Sequence, residues 1–213
     1  MSHAHQHAHE GTVCQRLRVE VAEHLPFSTS AVAIGIAAVA VMSYLAGGDS
    51  PQPLFHLFHP VHTLFSATAT TAMFRLYGKG VLKAAFVGLF GSIGVCGLSD
   101  IVMPHVSLLL LGVESHWHLC VAEHPLMVLS FAGMGIAVGL VASGSAASST
   151  FFSHSLHVLA STMASTVYLV APLGWPEWTD GVGTLFPLLL IAVMIPCCLS
   201  DIVFPILAAG RTD

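Results

Sequence analysis

"FHLFHPVHTLFSATATTAMF", residues 55–74, sets three histidines, His56, His59 and His62, at the head of an apolar stretch of membrane length. A polar group in hydrocarbon costs free energy unless it is paired, so imidazoles placed there call for partners. The same pattern returns later in the chain. "HPVHTLFSATATT" (59–71) aligns with "HSLHVLASTMAST" (154–166), so that His59/His154, His62/His157, Ser66/Ser161 and Thr71/Thr166 coincide.

Two further matches flank this one in the same order. "VAEHLPFSTSAVAIGIAAVAV" (21–41) aligns with "VAEHPLMVLSFAGMGIAVGLV" (121–141), and "CGLSDIVMP" (96–104) with "CCLSDIVFP" (197–205). Unrelated apolar helices share Ala, Val and Leu by chance. They do not readily share Glu-His, His-x-x-His and Ser-Asp in one order. The chain therefore reads as a duplication.

Composition sets the solvent. Of 213 residues, 55% are hydrophobic and only 8% are charged, against about 25% charged in soluble domains. Six Lys/Arg and eleven Asp/Glu are too few to coat a water-facing surface, and no basic patch suits nucleic acid. The five cysteines form no CxxC and no disulfide framework. The expected fold is an all-α integral membrane protein with the lipid bilayer as its main partner. Crossing a hydrocarbon core of about 30 Å takes roughly 20 apolar residues. Six segments qualify: 25–46, 56–77, 81–103, 125–144, 152–173 and 182–208. The apolar run 106–113 is too short to span, so a short interfacial or re-entrant segment is expected at about 105–118. The organisation that follows is a disordered His-rich tail (1–15), a first three-helix repeat (16–104), an external connector (105–120) and a second three-helix repeat (121–213).

With six spans, Arg16, Arg18, Arg75, Lys79, Lys83 and Arg211 all share one side. That side should be the cytoplasm, which places both termini inside; the expected setting is a bacterial inner membrane. Three spans per repeat is an odd number, so the second copy is expected upside down relative to the first, as in many secondary transporters.

The polar residues then sort into two groups, one towards each face. The outer group is His59, His62, Asp100, Glu123 and His124. The inner group is Glu23, His24, His154, His157 and Asp201. Residues i and i+3 share a helix face, so each His-x-x-His can aim at one centre. Cys96 and Cys197 sit one turn before the aspartates, and Ser66 and Ser161 continue the histidine stripe. Pro104 and Pro205 remove the N–H that would bond the Asp100 and Asp201 carbonyls. Imidazole with carboxylate suits zinc first, and also manganese, iron, cobalt or nickel; oxygen-only magnesium or calcium sites would not use so many histidines. His56 and His105 are secondary candidates on the outer side. Taken singly, each of these residues has a bland reading, as an interfacial histidine, a snorkelling acid or a hydroxyl bonded to its own helix. Their joint recurrence is what points to ligation. Gly88, Gly91, Gly94, Gly97, Gly135 and Gly139 mark close helix contacts, within the chain or in a homo-oligomer.

The function these residues point to is a carrier or channel for a divalent transition metal, coupled to protons, with the His-rich inner tail tipping the direction towards export. Two other classes compete. Paired histidines on facing helices suit a haem or di-iron redox protein or enzyme, although the HExxH and repeated HxxHH boxes of membrane metalloenzymes are missing. A membrane metal sensor or structural subunit would bind metal without moving it. The transport reading makes the chain a non-enzyme.

Overall fold

The computed structural model describes residues 13–47, 51–77, 80–142, 146–173 and 177–209. Among the described residues it is all-helical, with no strands. The helices are α1 (Val13–Leu45), α2 (Gln52–Tyr77), α3 (Val81–Gly97), α4 (Met103–Leu110), α5 (Cys120–Glu123), α6 (Pro125–Ala142), α7 (Ala146–Val170), α8 (Glu177–Asp180), α9 (Val182–Cys198) and α10 (Phe204–Ala209). Two five-residue π-helical turns with the same sequence, LSDIV, join α3 to α4 (Leu98–Val102) and α9 to α10 (Leu199–Val203).

Four stretches are long and apolar enough to cross a membrane: Ser28–Leu45, Val81–Leu110, Pro125–Ala142 and Val182–Asp201. Helices α2 and α7 are also long, at 26 and 25 residues, but their Ser, Thr and His content lowers their hydropathy. Their position explains the difference. Helix α2 packs against α3, α6 and α7, and α7 packs against α1, α2 and α9. Their hydroxyls are inside the bundle: Thr63, Ser66, Thr70, Thr71, Ser161, Thr162, Ser165 and Thr166 are all buried. The apolar helices around them turn large side chains outwards, among them Leu45, Leu82, Phe90, Leu126 and Val141. A molecule with hydroxyls inside and leucines outside inverts the soluble pattern and matches a lipid surround.

Exchanging α1 with α6, α2 with α7 and α3 with α9 maps the packing pairs onto one another. The pair α2–α6 becomes α7–α1, α2–α3 becomes α7–α9, and α3–α6 becomes α9–α1; all six pairs are present. Individual contacts follow the same exchange. A Cβ on Gly135 would run into the Leu64 carbonyl and Ala67, and one on Gly35 would run into Thr162, the residue aligned with Ala67. Small residues let the helix axes approach at these points. Gly88, Gly91 and Gly139 are likewise spent within the chain, against Thr71, Thr70 with Phe204, and Thr68; Gly94 and Gly97 meet open space. Helices α2 and α7 run antiparallel, since Phe55 packs on Tyr168 with ring centroids 5.6 Å apart while His62 meets His157 further along.

Several boundaries differ from the sequence expectation, the largest at α1, which is helical from Val13 where a tail to 15 and a span from 25 were expected. The apolar run at 106–113 is not a separate short segment: the π turn carries the third long helix past Pro104, and it continues to Leu110. The Met103 N–H bonds the Leu98 carbonyl, five residues back, and the Ser99 carbonyl accepts from the Ser165 side chain. The connector proper is the irregular stretch 111–119. Helices α2 and α7 also begin earlier than expected, at Gln52 and Ala146 rather than 56 and 152. The tail histidines His3, His5, His7 and His9 lie outside the described residues.

Candidate metal centre

The earlier starts of α2 and α7 decide where the histidines lie. His62 is ten residues into α2 and His157 eleven into α7. At 1.5 Å per residue each is roughly 15 Å from its helix start, half the thickness of a hydrocarbon core. Antiparallel helices that carry a histidine at half height bring the two together. His62 Nε2 is 2.9 Å from His157 Nε2, with the rings edge to face at 4.5 Å between centroids. Both rings are fully buried. The expectation of one histidine group towards each face is thereby replaced by one shared centre, and the physical reason is helix length.

The far nitrogens of both rings meet carboxylates. The Nδ1–H groups of His59 and His62 donate to the same Asp100 oxygen, Oδ2, at 2.9 and 2.7 Å. His157 Nδ1 is 3.2 Å from Asp201 Oδ2. Asp100 Oδ1 accepts from Ser99 and Ser161 at 2.9 and 3.0 Å. These donors satisfy both oxygens of a fully buried carboxylate, where an unpaired charge would cost several kcal/mol. The two LSDIV turns are tied to the opposite repeat by matched hydroxyls. Ser165 donates to the Ser99 carbonyl at 3.1 Å and Thr70 to the Ser200 carbonyl at 3.4 Å, while Ser66 lies 3.3 Å from Ser200 Oγ and Ser161 3.4 Å from Ser99 Oγ. Single π turns of this kind recur at functional sites.

This wiring constrains the gap between the rings. When the proton of each neutral ring sits on the Nδ1 that faces a carboxylate, each Nε2 carries a lone pair. Two lone pairs at 2.9 Å repel unless a proton or a cation lies between them. Cys197 Sγ is 4.0 Å from His62 Nε2, and the ligand atoms of His62, His157 and Cys197 all lie within 4.8 Å of one another. Nitrogens on a tetrahedral zinc are about 3.3 Å apart, and a nitrogen and a sulfur about 3.6 Å apart, from metal–ligand lengths of roughly 2.0–2.3 Å. The His62–His157 and His62–Cys197 distances each lie a few tenths of an ångström from those values. A carboxylate holding the distal nitrogen of a histidine fixes its tautomer and raises its basicity as a ligand.

Not every candidate residue enters this centre. Asp100 and Asp201 act on it through the histidine rings rather than facing the gap. His59 joins through Asp100, its ring stacked on Phe55 at 5.1 Å. Cys96 is buried beside Ser66 and Thr63, so of the two aligned cysteines only Cys197 joins the donor trio. The side chains of Glu23, His24 and His154 lie outside the described residues. Glu123 and His124 are away from the centre, at the start of α2, with His56 and His118. His118 Nδ1 is 2.9 Å from Glu123 Oε2, and the His56 ring lies 5.1 Å from that of His118 and 4.9 Å from that of His124. His105 is held by Ser115, 2.8 Å from its Nδ1, and packs on Trp117. Cys120, which the sequence reading passed over, is fully buried in this region. Burial, with Glu123 and then Asp100 adding to it, pushes its thiol up to about 11, so it is neutral at physiological pH.

Comparison with protein-family models, with curated proteins and with solved structures finds no match. The functional reading therefore stands on this geometry.

Proposed function

We propose that the chain is an integral membrane transporter for a divalent transition metal, built as six spans in two inverted three-helix repeats. The transported ion binds midway between the repeats, to His62, His157 and Cys197. The observation that carries this reading is the facing pair of Nε2 atoms, 2.9 Å apart and backed on both sides by aspartate. Such a gap accepts either a proton or a metal ion, and exchange of one for the other supplies proton coupling at a single site. Its depth favours transport over a surface sensor, because sites halfway down an inverted repeat can be opened to either side in turn. The nitrogen and sulfur donors favour zinc, with cobalt, nickel, iron and manganese in the same class. The basic residues favour cytoplasmic termini, and the histidine tail favours export.

Haem ligation is disfavoured, since the rings already touch and leave no slot for a macrocycle. A di-iron centre would have carboxylates bridging the metals, whereas here they are committed to histidine nitrogens. The test is metal flux into or out of liposomes holding the purified protein. His62→Ala and His157→Ala should each reduce flux to background. Tight binding with no flux in the wild type would favour a sensor or structural subunit instead.

A further inference from the structure

The cluster at the start of α2 has a chemistry of its own. His56 lies six residues before His62, about 9 Å nearer the helix end. The ligand atoms of His56, His118 and Cys120 all lie within 4.8 Å of one another. Among the described residues, His56 Nδ1 and His118 Nε2 are buried with no hydrogen-bond partner. A buried imidazole nitrogen without a partner carries a desolvation cost, and native structures seldom tolerate two in one place. Glu123 meanwhile takes the other nitrogen of His118, which leaves Nε2 as the lone-pair atom. This repeats the carboxylate–histidine arrangement of the centre. The three donors come from two parts of the chain: the first turns of α2, and the end of the irregular connector where it enters α5. Phe55, which stacks on His59, also lies edge-on to His118 at 5.8 Å.

We propose that His56, His118 and Cys120 form a second site for a borderline-soft divalent cation such as zinc, cobalt or nickel, about 9 Å along α2 from the central one. His124, beside His56, stands where a fourth ligand would come from. The site has no symmetry-related copy, because Phe151 aligns with His56, and Arg18 and Glu20 align with His118 and Cys120. Its binding role stands on its own geometry. Its role as the loading station for the centre, with His59 between the two, rests on the transport reading.

Cobalt tests the site, because thiolate-bound Co²⁺ gives a near-ultraviolet charge-transfer band. The full chain, purified in detergent and stripped with chelator, is titrated with Co²⁺. Wild type should bind two equivalents. Cys197→Ser, which removes the central thiolate, should keep a charge-transfer band. Cys197→Ser/Cys120→Ser should lose that band, and His118→Gln should lose one equivalent. Cys120→Ser alone should keep the central equivalent, which shows the fold intact. A band that survives in the double variant, or a Co²⁺ stoichiometry that His118→Gln leaves unchanged, overturns the second site. In liposomes, Cys120→Ser should raise the half-saturating Co²⁺ concentration about tenfold while sparing the maximal rate. Absent flux in wild type would sink the transport reading and leave the titration result standing.

Discussion

His62 and His157 occupy the same place in their two repeats. Each has one nitrogen turned to the aspartate of its own LSDIV turn and the other turned to its twin. His56 and the aligned Phe151 are not equivalent in this way. One joins a cluster with His118 and Cys120; the other has no ring nitrogen to offer. The halves thus agree at mid-height and diverge at one end. On the transport reading proposed above, both properties have a use: a central site that looks the same from either side lets the repeats trade conformations, and unlike ends let the two faces exchange the ion at different rates. The lesson concerns where symmetry is kept: the hydroxyls that tie each π turn to the opposite helix, Ser165 on Ser99 and Thr70 on Ser200, are copied as faithfully as the histidines.

Paired substitutions test that comparison, since aligned positions should respond alike at the centre. The largest effect is expected for His62→Ala and His157→Ala, each reducing flux to background and losing the central Co²⁺ equivalent. A variant at one position that transports normally while its twin is dead would break the two-fold account. Next come Asp100→Asn and Asp201→Asn. Each leaves a histidine without its anionic acceptor and should weaken central affinity by about 10–100-fold, read by calorimetric titration. Gly35→Leu and Gly135→Leu should each lower the thermal midpoint in detergent, because overpacking costs about 1–3 kcal/mol. Gly94→Leu, facing open space, should not. The smallest effect is expected for Ser165→Ala and Thr70→Ala, each removing one hydroxyl bond worth about 1 kcal/mol. Unequal losses within that last pair would show that the two π turns are held differently.

The helical class and the duplication were legible because Glu-His, His-x-x-His and Ser-Asp stand out against apolar neighbours. Depth was not legible. Hydropathy begins a span where apolar residues begin, yet α2 and α7 each start earlier, in residues such as Gln52 and Ser148. Those extra turns move the histidines from the ends of their helices towards the middle. The run at 106–113 was misread for a related reason. Pro104 looks like a helix end, but it sits in the first turn after the π turn at Leu98–Val102 and the helix goes on. His118 and Cys120 lie in or beside an irregular loop, where no periodicity reveals which side chains converge. Cys197 was legible only as one of two equal candidates. Its proximity to His62 comes from the crossing of helices far apart in sequence.

The central claim is that both repeats contribute to one cation site. Anomalous diffraction at the zinc edge, from crystals grown with the metal, tests it most directly. The account predicts a peak at roughly 2.0–2.3 Å from His62 Nε2, His157 Nε2 and Cys197 Sγ, with a second peak near His56 and His118. Separate peaks towards the two faces, with nothing between His62 and His157, would contradict it.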